Sequence, residues 1–385
     1  MKKVWGARMK TICLVGGKLQ GFEAAYLAKK AGMKVLAIDK NPQALIRNYV
    51  DEFHSFDVIK APKKLLELTR KADFLLPVNE NLECIEFLNS LKEKFSCPVL
   101  FDFEAYRISR DKKKSKEYFA SIKVPTPKDN PSKPPYFVKP PCESGSLGAR
   151  IIYEKEELKA LSSEMLIEEY VEGEVVSLEV IGDGTHFAGI KETLVHIDDT
   201  YDCHMVTPLS LCPEFRKISH ALAANLSLRG IMDVEAINSP SGLKILEIDA
   251  RFPSQTPTVV YHSSGINLID LLCQAFEDGV EEIKNPPETF PKNDYCIYEH
   301  LILTENGALA PVGEQVVSRG REYEKYHDEP GLEIFLCRSK APVFTLIAWG
   351  KSKEEAENMK QKGLSVIKTF DQKFRSEEPE GIEIF

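Results

Sequence analysis

Two short acidic runs near the middle of the chain constrain it more than any other feature. Met232–Ile237 and Leu243–Ile248 read as strands on either side of the turn Asn238-Ser239-Pro240-Ser241-Gly242. Side chains two apart on a strand share a face. Asp233 and Glu235 therefore point one way on the first strand, as do Glu247 and Asp249 on the second. Paired as a hairpin, the strands gather three or four carboxylates on one sheet face, and packed like charges demand a compensating cation. Oxygen donors without a neighbouring Cys or His favour magnesium or manganese, and magnesium ordinarily arrives with a nucleotide's phosphates. Arg251, two residues further along the same face, adds a fixed positive charge. The competing reading is a solvated acidic hairpin, which Leu246, Ile248 and Ala250 also permit by facing a core.

Two further segments point to a polyphosphate. Tyr136-Phe137-Val138-Lys139 is a strand ending in an ammonium group, and it runs into the small-residue loop Pro140–Arg150. Missing side chains and free backbone N–H groups suit close approach to phosphate oxygens. The lysine precedes the glycines, so this is not a Walker A loop. The second segment, Leu166-Ile167-Glu168-Glu169-Tyr170-Val171-Glu172-Gly173-Glu174, starts as a strand and breaks at Gly173. Where a strand leaves a sheet, its backbone can pair with an adenine edge and a carboxylate beyond it can hold ribose hydroxyls. Taken singly, a surface loop and an acidic edge strand explain these segments as well.

The first hundred residues alternate strand and helix. Thr11–Val15, Lys34–Ile38, Phe74–Pro77 and Val99–Phe101 read as strands, and Phe22–Ala31 and Leu82–Lys94 as helices. That order implies a parallel sheet with right-handed crossovers. Gly16-Gly17-Lys18-Leu19-Gln20-Gly21, with Asp39 closing the second strand, departs from the GxGxxG spacing of a dinucleotide site. An NAD(P)-binding oxidoreductase is the alternative it leaves open. The helix N-terminus after Gly21 also suits a substrate carboxylate. Beyond the basic run Ser109–Ser115 and the proline-rich stretch Val124–Pro135, longer alternating strands and the amphipathic helix Pro213–Leu228 indicate a larger antiparallel layer.

Composition narrows the function classes. With 43% hydrophobic and 28% charged residues and a formal charge of −9, the chain has no basic stripe for nucleic acid. No apolar run reaches the roughly 18–20 residues that span a bilayer. Nine cysteines without a CxxC pair indicate reduced thiols and a cytoplasmic setting. Met1–Arg8 carries no apolar core after its basic residues, so it reads as an extension outside the fold.

The order of the segments is basic run, lysine strand with small-residue loop, Glu-Glu-Tyr-Val…Glu connection, then acidic strands ending in Glu-Ile-Asp-Ala-Arg. In this order the sequence resembles the ATP-grasp superfamily across about residues 9–350. The resemblance implies an α/β fold of three parts: an N-terminal Rossmann-like (pre-ATP-grasp) domain at 9–104, a small central α+β lid at 105–167 and a C-terminal antiparallel-sheet domain at 168–373. The ends, 1–8 and 374–385, are expected to be flexible. It implies ATP and Mg2+ as cofactors, with Mn2+ as a substitute. Lys112 and Lys139 match the phosphate-binding lysines, and Ser144, Gly145, Ser146 and Gly148 belong to the loop closing over the triphosphate. Glu168, Glu169 and Val171 match the adenine-binding connection, mostly through backbone, Glu174 the ribose carboxylate, and Glu235, Glu247 and Asp249 the metal ligands. Many superfamily members have Asn where Asp249 stands. Arg251 matches the arginine beside the transferred phosphate, so Arg251 and Lys139 are the expected catalytic residues.

Within the superfamily the chain looks most like ligases that join (3R)-3-methyl-D-ornithine to the ε-amine of L-lysine in pyrrolysine biosynthesis. Ser177, Glu179, Asp233, Arg251 and Ser254 are the candidate contacts for these amino-acid substrates, and neither nucleic acid nor membrane is an expected partner. Other readings are a different ATP-grasp amino-acid ligase, a bicarbonate-activating carboxylase of the purine-biosynthesis type, or a non-enzymatic nucleotide-binding module.

Overall fold

The computed structural model describes residues 8–143, 145–210, 212–277, 292, 294–338 and 341–377. Its N-terminal layer is a parallel sheet of β1 (Thr11–Val15), β2 (Lys34–Asp39), β3 (Glu52–Ser55) and β4 (Phe74–Pro77), in the order β3-β2-β1-β4. Strands β1, β2 and β4 are apolar along almost their whole length, as parallel strands covered on both faces must be. Between them run α1 (Leu19–Lys30) and α2 (Pro62–Thr69), and α3 (Leu82–Ser90) follows β4. Val99–Phe101 is not a full strand: Val99 makes a single bridge to Leu75. The glycine turn serves packing. Gly16 has φ 128°, and a Cβ there would lie 2.3 Å from Val78 O. One on Gly21 would lie 2.5 Å from Gly16 O.

Two helices, α4 (Phe103–Ser109) and α5 (Lys112–Ser121), lead to a small antiparallel sheet of β5 (Tyr136–Lys139), β6 (Arg150–Ile152) and β7 (Leu166–Glu169), ordered β6-β5-β7. The basic run thus starts a helix, because Asp111 caps it by accepting from Lys113 N and Lys114 N. Glu169 pairs with Tyr136, so the small sheet extends two residues past the expected boundary at 167.

The remaining strands form one large sheet. They are β8 (Glu174–Asp183), β9 (Phe187–Ile197), β10 (Cys203–Pro208), β11 (Arg229–Ser239), β12 (Gly242–Asp249), β13 (Tyr295–Leu303), β14 (Leu309–Pro311), β15 (Arg321–Glu329), β16 (Leu332–Arg338) and β17 (Val343–Gly350). The order is β12-β11-β8-β9-β10-β13-β17-β16-β15, with β14 on β13. Helices α6 (Pro213–Leu226), α7 (Thr256–Ser264), α8 (Leu268–Glu277) and Lys353–Glu377 accompany it. The last runs to Glu377, into the stretch 374–385 that was expected to be a flexible end. The N-terminal layer shares its core with this sheet: the Phe22 ring of α1 lies 4.4 Å from that of Tyr323 and 4.9 Å from that of Phe335. Among the described residues no helix is long and apolar enough to cross a membrane.

Candidate active site

The acidic strands pair as their alternation requires, with one irregularity that decides the site. Counting back from the Ser239–Gly242 turn, regular pairing would set Glu235 against Leu246. A β-bulge between Glu235 and Ala236 shifts the register by one residue, so that Glu235 faces Glu247 and Asp233 faces Asp249. On the other side of β11, Glu235 lies opposite Ser177 and Asp233 opposite Glu179. Three adjacent strands therefore present two rows, Ser177–Glu235–Glu247 and Glu179–Asp233–Asp249. Bulges beside active sites re-aim side chains in this way.

Cations hold the outer members of the rows. Lys112 Nζ lies 2.8 Å from Glu247 Oε2, and Arg251 bridges Asp249 and Glu80, each at 2.7 Å. Burial works against the Glu247 charge, but Lys112, Lys139 and Arg251 outweigh it and hold the carboxyl below its ordinary value. Among the described residues no cation is in contact with Glu235. Burial, then the carboxylates of Glu247 and Asp233, push it well up. Burial likewise raises Asp249 to about 7 and Asp233 to about 6. With Asp249 turned to Arg251, no three His, Cys, Asp or Glu side chains among the described residues form a ready chelate.

These groups line a cleft of about 430 Å³ between the small three-stranded sheet and the large sheet. Its wall includes Lys112, Lys139, Gly145, Ser146, Glu168, Glu169, Val171, Asp233, Glu235, Glu247, Asp249, Arg251 and Ser254. Four expected residues are not in that wall. Ser177 and Glu179 lie beneath it, fully buried, with Ser177 Oγ donating to Asp233 Oδ1 at 2.5 Å. Gly148 packs toward Pro140, and Glu174 is exposed at the start of β8. Ser144 lies outside the described residues.

Glu168 differs from an adenine-facing carboxylate. Its side chain is 1% exposed and joins Lys139 at 3.0 Å to Lys116 at 2.8 Å, so any adenine contact from it is through backbone. This ion cluster fixes Lys139 at the end of β5. Removing one member of a buried pair leaves the other uncompensated. Glu168→Ala is therefore expected to lower stability by about 3–5 kcal/mol, read as the midpoint of urea unfolding. An unchanged midpoint would show that the lysines are solvated.

Local pattern did not single out Lys116, Glu80, Gln255 or Glu314. Glu314 lines the cleft from the short helix Glu314–Ser318 and accepts from Ser254 Oγ at 2.5 Å. Burial leads the causes that raise its pKa. Nothing in the sequence around Lys116 marks it off from the other lysines of its basic stretch. Its Nζ also donates to Pro127 O at 2.8 Å, and all its partners are set by the tertiary fold.

Residues 109–255 match the ATP-grasp domain family. The chain is 72% identical over 369 residues to the 3-methyl-D-ornithine–L-lysine ligase of Methanosarcina mazei, covering 96% of this chain and 98% of that one. It is 73% identical over 360 residues to the ligase of the same name from Methanosarcina barkeri, covering 94% and 98%. Among solved structures, the ADP complex of N5-carboxyaminoimidazole synthetase from Staphylococcus aureus superposes with a TM-score of 0.67 at 17% identity, covering 94% of this chain and 98% of that chain. That last likeness is one of fold. With both ligases matched along nearly their whole length, the chain belongs to the ATP-grasp family and, within it, to the 3-methyl-D-ornithine–L-lysine ligases.

Proposed function

We propose that the chain uses ATP to activate the carboxylate of (3R)-3-methyl-D-ornithine and joins it to the ε-amine of L-lysine, releasing ADP and phosphate. The observation carrying this reading is the double row of acids set against Lys112 and Arg251 in one cleft, on a chain 72% identical to a ligase of that name. Magnesium suits the donors, which are hard oxygens, and Glu235 facing Glu247 is a like-charge pair that a divalent ion would relieve. Glu235, Glu247 and Asp249 would hold it, and when bound it offsets the charge of the phosphates.

The chain's own residues would do the rest by positioning and electrostatics. Lys112 and Lys139 meet phosphate oxygens, and the backbone of the Gly145–Gly148 loop approaches them closely. Glu168, Glu169 and Val171 offer backbone to adenine, and the exposed Glu174 at the start of β8 would serve ribose. The substrate carboxylate attacks the γ-phosphorus, the bond to the β–γ bridging oxygen breaks, and Arg251 stabilises the charge on the phosphoryl group in flight. The resulting acyl phosphate is attacked at its carbonyl carbon by the lysine amine, and phosphate leaves. Asp233 and Ser254, both in the cleft wall, would offer acceptors to a substrate ammonium, while the buried Ser177 and Glu179 support Asp233 from beneath. The ε-ammonium of L-lysine first gives its proton to a nearby carboxylate. All nine cysteines are unpaired, which supports a cytoplasmic setting.

ADP release is the test, measured with ATP and magnesium across a panel of diamino acids, with and without L-lysine. The expected result is release that depends on 3-methyl-D-ornithine, and a hydroxamate when hydroxylamine replaces L-lysine. Release with bicarbonate instead would favour the carboxylase reading.

A further inference from the structure

Directly after Arg251 the chain makes an unusual turn. Gln255 has φ 66° and ψ −58°, and Thr256 N donates to Ser254 O at 2.7 Å. This is the φ-positive γ-turn, which is rare and strained for a residue with a side chain. Such a conformation persists only where its surroundings over-determine it. Gln255 is 1% exposed, its Oε1 accepts from Cys203 Sγ at 2.6 Å, and its Nε2 donates to Cys203 O at 3.4 Å. All three residues of the turn line the cleft.

The other support comes from the far end of the sequence. Glu23, on α1, has no exposed surface, and its two oxygens accept from Thr258 Oγ1 and Tyr298 OH, each at 2.5 Å. The Gln255 backbone N–H acts on the same carboxylate. Burying a carboxyl group is unfavourable unless its donors repay the desolvation, and here those donors belong to the γ-turn, to the first turn of α7 and to β13. Glu23 therefore clamps the strained turn to the large sheet from the N-terminal layer, without lining the cleft itself.

We propose that Glu23 is a positioning residue for the activated amino acid. It holds Gln255 and Thr258 so that Ser254 and Thr256 keep their places in the cleft wall. This assignment rests on the ligase reading above. It gives the N-terminal layer a role in the affinity for one substrate and none in the affinity for the nucleotide.

Two variants of the full chain test it. Glu23→Asp keeps the charge but withdraws it by one methylene, whereas Glu23→Gln keeps the length and an acceptor oxygen. KM for 3-methyl-D-ornithine is expected to rise about tenfold or more in Glu23→Asp, with Kd for ADP within about twofold of wild type, and Glu23→Gln is expected to recover most of the loss. Equal losses in KM and in ADP affinity, or a lowered Tm with both constants unchanged, would reduce Glu23 to a general support of the fold and overturn the assignment. Wild-type protein that binds ADP but turns over no amino acid would instead sink the ligase reading, and this assignment with it.

Discussion

Glu247→Gln should abolish turnover while leaving the protein folded, with kcat falling by about 10³-fold or more. The reason lies in what the substitution removes. Glu247 carries the charge that Lys112 holds at 2.8 Å and that opposes Glu235 across the hairpin. An amide keeps the shape and one oxygen but loses the negative charge a divalent ion requires. Two effects on stability oppose each other: Lys112 loses its partner, while the repulsion with Glu235 is relieved. The melting temperature should therefore move by only a few degrees, and ADP release is the decisive measurement. A Glu247→Gln protein turning over at the wild-type rate would leave a nucleotide-binding module as the better description.

Arg251→Met is the second large effect. Arg251 lies 2.7 Å from both Asp249 and Glu80, and Asp249 and Glu80 hold its charge against burial. Methionine fills much of the volume but leaves those two acids, with Glu314 nearby, lacking the guanidinium between them. If Arg251 acts on the phosphoryl group in transfer, kcat and kcat/KM should fall together by about 10²–10³-fold. Arg251→Lys should fall between the two, since an ammonium is a point charge that cannot reproduce a planar two-sided contact. A rise in KM for ATP with kcat unchanged would move Arg251 from the reacting phosphate to simple nucleotide binding.

What could be read in advance follows from the range of each interaction. Alternation along β11 and β12 placed Asp233, Glu235, Glu247 and Asp249 on shared faces, because a period of two is set within the strand itself. The bulge that puts Glu235 opposite Glu247 has no comparable local signal, and regular counting from the turn misses it by one residue. The edge strand β3 lacks apolar alternation, and its pairing to β2 became visible only in the fold. Glu168 matched an adenine connection through its backbone, and nothing local indicated that its side chain is committed to Lys116 and Lys139. Glu80, Glu314 and Glu23 reach the cleft or its supports from distant parts of the chain, so proximity in sequence could not group them.

The shared aromatic core of Phe22, Tyr323 and Phe335 has a mechanical consequence. The N-terminal layer and the large sheet are joined through it and are expected to unfold as one cooperative block. The three-stranded sheet has a separate small core of Tyr136, Val138 and Ile152. Fewer apolar contacts mean a lower free energy of local opening. Amides of β5 and β7 are therefore expected to exchange with deuterium sooner than those of the block, as a light part opens before a heavy one.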